Sequence, residues 1–139
     1  MSSLCETVFM NLEVDGTERL PLVTQLLYEE QDPYAIRVCF ELQEDVAVTW
    51  TIERDLLDRG LTQEVGDGDV RIAPRVDADR REARIELAGC GLDGVWGRAV
   101  FFAWEPALRG FLDRTYEAVP PGAEEVDVDA FLTEVLTAG

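Results

Sequence analysis

Two stretches of strict two-residue alternation, separated by a short polar link, constrain this chain more than anything else in it. Ile36, Val38, Phe40 and Leu42 alternate with Arg37, Cys39 and Glu41, and Val46, Val48, Trp50 and Ile52 alternate with Ala47, Thr49 and Thr51. Period 2 belongs to a strand with one face on a core. The link Gln43-Glu44-Asp45 is short and polar, so the two runs predict an antiparallel hairpin.

The same reading extends along the chain. Val8, Met10, Leu12 and Val14 alternate with Phe9, Asn11 and Glu13, residues 20–30 read as a further strand, and Asp32-Pro33-Tyr34 makes a turn. A short helix is predicted over 53–59, with Leu56 and Leu57 inward, Asp55 and Arg59 four apart as a pair, and Gly60 as its stop. Gly66-Asp67-Gly68 turns the chain into a strand from Val70 to Val76; further strands are predicted over 82–88 and 95–103, with Gly89, Gly91 and Gly94 between them. Pro106 opens a helix whose Leu108, Phe111, Leu112, Thr115 and Val119 recur at helical spacing, and a last helix is predicted from Asp127. About seven strands and three helices, the longer helices last, predict an α+β fold with antiparallel sheets in one domain spanning 1–139.

Charge and residue chemistry then exclude classes of function. The net charge is −17, from 29 acids against 12 bases that are all arginine. A field of that sign repels phosphate backbones and anionic headgroups, so no nucleic-acid or lipid partner is expected. There is no histidine, which removes the commonest general base, the histidine triads and histidine metal sites. Cys5, Cys39 and Cys90 show neither a disulfide framework nor zinc-ligand spacing and are expected as buried, reduced thiols. Carboxylates such as Glu124-Glu125 and Asp127 with Asp129 read as a solvated face rather than a catalytic pair. Gly66-Asp67-Gly68-Asp69 lacks the lysine of a phosphate loop and the terminal Glu of a calcium loop. No catalytic, cofactor or metal site is therefore assigned. Residues 1–4 carry no basic start and no apolar run approaches the ~20 residues of a membrane span, so a soluble cytoplasmic chain without membrane insertion is expected.

Two segments are candidate binding surfaces. Arg71, Arg75, Arg80, Arg81 and Arg84 outnumber Asp77, Asp79 and Glu82; they read either as a solvated hairpin with cross-strand ion pairs or as a docking patch for an acidic peptide. Over 95–104, period 2 puts large apolar groups on both faces, with Trp96, Arg98, Phe102 and Trp104 on the side away from Ala99, Phe101 and Ala103. Such residues are enriched at the centres of interfaces, so either a helix of the chain covers them or another subunit or partner does. Arg54 and Asp55 are expected to be structural, tying the short helix to the sheet.

An ordered set of motifs adds a resemblance. Asp32-Pro33-Tyr34-Ala35 before Val38-Cys39-Phe40, Trp50 before Arg54-Asp55-Leu56-Leu57 and Gly60-Leu61, the run Gly66-Asp67-Gly68-Asp69-Val70-Arg71-Ile72-Ala73-Pro74, and Thr115 before Val119-Pro120-Pro121-Gly122 span nearly the whole chain. Together they resemble the SsgA-like family of sporulation and cell division proteins of actinomycetes, nearest to its SsgB-type members. Ala73 stands where that family commonly has tryptophan. The resemblance implies a Whirly-like fold of two antiparallel sheets with packed helices, a trimer, and a non-enzymatic regulator of sporulation-specific division. Its implied partners are the tubulin-like FtsZ, recruited or positioned at the septum, and an SsgA-type protein. The alternative it suggests is a single-stranded nucleic-acid-binding protein, which the −17 charge opposes.

Overall fold

Alternating apolar residues build a long antiparallel meander. In the computed structural model of the chain, residues 3–14, 16, 18–43, 45–90 and 96–124 are described, without the side chains of Gln43, Cys90 and Trp96. The elements are β1 (Ser3–Val14), β2 (Glu18–Glu29), β3 (Ala35–Gln43), β4 (Val46–Glu53), α1 (Arg54–Gly60), β5 (Val65–Asp67), β6 (Val70–Asp77), β7 (Arg80–Cys90), β8 (Trp96–Trp104) and α2 (Glu105–Ala118). The expected hairpin of residues 36–52 forms as β3 and β4, with Val38 opposite Trp50 and Ile36 opposite Ile52. The helix predicted from Asp127 lies outside the described residues.

The expectation of two sheets is corrected. All eight strands form one antiparallel sheet, in the order β4-β3-β2-β1-β8-β7-β6-β5. The join is a pairing of β1 with β8 through Met10–Ala103, Asn11–Phe102 and Leu12–Phe101. The sheet curls into a half-barrel. Phe40 on β3 and Phe101 on β8 are three strands apart in the order, which on a flat sheet means about 14 Å of backbone separation. Their rings nevertheless stack with centroids 4.0 Å apart, because the strands bend toward each other across the interior. Trp50 likewise reaches across to Gly89, where an added Cβ would stand 3.4 Å from its ring.

The inner face carries the core. Met10, Leu26, Ile36, Phe40, Ile72 and Ile85 are buried there, and α2 lays Leu108, Phe111 and Leu112 on the same cluster. Pro106 falls in the first turn of α2, as its fixed φ favours. Leu56 and Leu57 of α1 point inward. Gly60 acts differently from the stop expected of it, since its φ is not left-handed. A Cβ there would run into the side chain of Ile72 on β6, so glycine allows α1 to lie directly on the sheet. Gly60→Ala is expected to cost about 2–3 kcal/mol through overpacking, despite alanine's better helix propensity, and a urea melt checks it. An unchanged midpoint would show that Ile72 moves aside freely.

Candidate functional site

The outer face of β6, β7 and β8 holds most of the singled-out residues. Alternation puts Phe102 there, with Arg84 opposite it on β7. Phe102 is only 2% exposed, although no described helix covers this face: α2 packs on the inner one. Arginines cover it instead. The Arg19 guanidinium carbon lies 3.9 Å from the ring centroid and that of Arg75 lies 4.9 Å away. Arg19 Nη1 donates to both carboxylate oxygens of Glu82, at 3.0 and 3.1 Å, and Glu82 is 3% exposed. Neither Arg19 nor this buried pair was singled out in the sequence. Nothing local signals it, because Arg19 and Glu82 sit 63 residues apart.

The remaining candidates are divided by the strand pattern. Trp104 is half-exposed and Phe9, on the same outer face, is largely exposed. Arg98 donates to Glu86 at 2.9 Å, and Arg84 pairs with the same carboxylate at 3.3 Å. Burial alone raises the Glu86 carboxyl, but the two guanidinium groups outweigh it and hold it below the usual carboxylate range. Trp96 pairs with Cys90 through its backbone, and its side chain lies outside the described residues.

Of the five arginines read as a patch, Arg71 and Arg75 share a face of β6 with exposed side chains. Arg81 is drawn away from them to Glu105 of α2 at 3.2 Å. Arg80 lies at the β6–β7 turn, exposed, after Ala78 and Asp79 with φ of 48° and 70°. The five therefore do not converge on one spot. Cys5 is exposed and Cys39 half-buried, both as free thiols, which corrects the expectation that they are buried; both fall at outward positions of their strands.

Among the described residues Arg54 is the most buried charge, at 2% exposure. It ties α1 to α2: its Nη1 donates to the carbonyls of Thr115 at 3.2 Å and Val119 at 2.8 Å, the first of which also accepts the Val119 N–H at 2.9 Å. Its Nη2 faces Glu124 at 3.2 Å, and its guanidinium carbon lies 4.5 Å from the Tyr116 ring centroid. The Tyr116 hydroxyl donates to Asp58 at 2.5 Å, and desolvation first, then this bond, pushes its pKa well up. Asp55 instead pairs along the helix with Arg59 at 2.9 Å on the surface. Arg54 alone makes the expected tie: its backbone N–H donates to the Tyr34 carbonyl at the turn into β3 at 2.7 Å, its guanidinium carbon lies 5.2 Å from the Tyr28 ring centroid on β2, and the same guanidinium also holds the end of α2.

At the end of the half-barrel away from the described helices, the described residues do not fill the inner face. A cleft of about 380 Å³ is lined by residues including Leu42, Val48, Trp50, Leu87, Ala99 and Phe101, with Gly89 and Arg98 at its border. It lies where the ends of β1, β3 and β7 come beside the starts of β4 and β8. No group of acids, cysteines or histidines able to hold a metal ion occurs among the described residues, and no described helix is long and apolar enough to cross a membrane.

The whole chain has close counterparts among known proteins. A family model described as Streptomyces sporulation and cell division protein, SsgA, matches residues 22–124. The sporulation-specific cell division protein SsgB of Thermobifida fusca (strain YX) is 41% identical over 98% of this chain and 96% of its own length. The SsgB protein of Streptomyces coelicolor is 36% identical over 95% of this chain and 93% of its own. The crystal structure of an SsgA-like sporulation-specific cell division protein from Thermobifida fusca YX-ER1 superposes with a TM-score of 0.83 at 40% identity, covering 96% of this chain and 95% of that one. The half-barrel, its arginine-covered outer face and its motifs from Leu22 to Glu124 therefore belong to a member of the SsgA family of sporulation and cell division proteins.

Proposed function

We propose that this chain works without catalysis, as an adaptor in sporulation-specific cell division that positions the FtsZ division machinery at future septa together with an SsgA-type protein. The observation that carries this reading is the alignment, over nearly the full length of both chains, with proteins named sporulation-specific cell division protein SsgB. The outer face supports it with residues suited to protein contact: half-exposed Trp104, exposed Phe9 and the exposed guanidinium of Arg98. Copies of the chain, in the trimer the family resemblance implies, or a division partner meet on this face, with Phe102 held beneath its arginines as a rigid support.

The test is co-purification of the tagged chain with FtsZ of the same organism, alongside a labelled single-stranded oligonucleotide. FtsZ is expected to be retained, and the oligonucleotide to show no binding at physiological salt, because the −17 charge opposes phosphate neutralisation. Retention of the oligonucleotide without FtsZ would overturn the adaptor reading.

A further inference from the structure

We propose that the free edge of β4 is a docking site for an extended segment of a partner protein, which adds to the sheet as one more strand. The inference goes beyond the adaptor reading and does not require that the partner be FtsZ.

An open sheet has two edges, and this one treats them differently. β4 ends the sheet on one side and β5 on the other. β5 is only 3 residues long, and the part of β6 that it leaves uncovered carries Pro74, Arg75 and Asp77. Short edge strands, proline and charge are the usual protections against strand addition. β4 has none of them. From Val46 to Ile52 it reads Val-Ala-Val-Thr-Trp-Thr-Ile, without charge, proline or glycine. Val46, Ala47, Val48 and Thr49 are exposed in succession, on both faces, so no described element covers them.

The backbone sets what this edge accepts. The Arg54 N–H donates to the Tyr34 carbonyl at 2.7 Å, one step beyond the Ala35–Glu53 pair in the β3–β4 register. Bonded pairs of an antiparallel ladder recur at every second residue. Val48, Trp50 and Ile52 therefore bond to β3, and Ala47, Thr49 and Thr51 turn their N–H and C=O groups away from it. Among the described residues no strand pairs with that side. Such a row takes up an extended main chain, and β-branched side chains suit the strand that is added.

Local charge and register favour a partner's segment over a second copy. Asp45 and Glu53 stand at the two ends of the uncharged run, both exposed, and neither has an ion pair among the described residues. An incoming strand with a basic residue at each end complements them. Two copies of β4 paired over Val46–Ile52 about Thr49 instead set Asp45 of each opposite Glu53 of the other, acid against acid. The opposite edge of a second copy offers only the short β5 and then Pro74, which has no N–H to give.

The test uses the full-length chain and two labelled peptides with the same Thr-Val-Thr-Val-Thr centre, one with lysine at both ends and one with glutamate, followed by fluorescence anisotropy. The lysine peptide is expected to bind at least about ten-fold tighter, with affinity falling as salt rises. N-methylation along its backbone is expected to weaken it at least about ten-fold, because the donors to the edge are gone. Thr49→Pro removes an outward N–H and no bond to β3, so circular dichroism stays unchanged while affinity falls at least about ten-fold. Asp45→Asn with Glu53→Gln is expected to erase the preference between the two peptides. Without peptide, the amide hydrogens of Ala47, Thr49 and Thr51 exchange fast, and the lysine peptide slows them at least about ten-fold. Equal binding of the methylated and unmodified peptides, or of the lysine and glutamate peptides, would overturn the proposal. So would slow exchange at those three amides in the peptide-free chain, which gives the edge to a second copy or to the chain's own residues.

Discussion

Arg54→Met destabilises the fold by about 3–4 kcal/mol, a shift of about 10 °C in Tm for a chain of this size. The side chain it removes is 2% exposed. Methionine fills much of the volume but donates nothing, so the Val119 carbonyl loses its donor, the Thr115 carbonyl keeps only the Val119 N–H and Glu124 loses its cation. Orphaned buried acceptors cost about 1–3 kcal/mol each where water cannot reach them. Arg54→Lys keeps the charge yet cannot span two carbonyls and a carboxylate with one planar fork, so it restores only part of the loss. Asp55→Ala is the control. Its pair with Arg59 is on the surface, with side chains 71% and 49% exposed, and its loss costs under about 1 kcal/mol. Chemical denaturation of the three variants decides the matter; Arg54→Met melting within 1 °C of wild type, as a rough limit set by that ~10 °C expectation, would remove Arg54 from the structural account.

The same tether has a pH signature. The Glu124 carboxyl lies below its usual range, first because its own backbone N–H donates to it, then through Arg54 and the Gly122 N–H, with burial opposing. A group with a depressed folded-state pKa adds stability above its ordinary value of about 4.3 and loses it as pH falls through the depressed range. Wild type therefore loses more stability than Glu124→Gln on acidification below that value.

The strands were legible because their cause is local. Ile36, Val38 and Phe40 are buried to 1% or less, as alternation requires, and α2 buries the Leu108, Phe111, Leu112 and Thr115 that its spacing put on one face. The number of sheets was not legible. Strands β1 and β8 meet through Met10–Ala103 and its two neighbouring pairs, some ninety residues apart in sequence, and period 2 says which face of each strand is apolar without saying which strand lies beside it. The arginine cover of the outer face was not legible for a related reason. Large apolar groups on both sides of residues 95–104 suggested a helix or a subunit as cover. The cover for Phe102 comes from the stems and guanidinium planes of arginines on β2 and β6, and long charged side chains can shield apolar surface while their heads stay near water. Arg75 was singled out for its charge; its contact with a ring was invisible in the sequence. Gly60 was noticed as a stop, whereas its role is to leave room for Ile72.

The second large effect tests that arginine cover. Arg19→Met is expected to destabilise by about 3 kcal/mol, because it leaves the Glu82 carboxylate, 3% exposed, without the guanidinium that neutralises it. It also removes the group lying 3.9 Å from the Phe102 ring centroid, worth about 0.5–2 kcal/mol in a partly desolvated site. Glu82→Gln costs less, about 1–2 kcal/mol, since the freed Arg19 is 27% exposed and has Asp77 within 4.0 Å as a second partner. The double variant Arg19→Met/Glu82→Leu recovers most of the loss, because an apolar pair of similar volume replaces a buried ion pair at little or no cost. With Glu82→Leu as the matching single variant, the two positions are therefore non-additive by about 2 kcal/mol in a double-mutant cycle. Additivity within about 0.5 kcal/mol would mean that Arg19 stabilises through Phe102 alone and that Glu82 finds water. Light scattering on the same variants separates fold from assembly. If the outer face is sealed by its own arginines, Arg19→Met lowers the melting point at constant particle mass; if that face is also where copies meet, mass and melting point fall together.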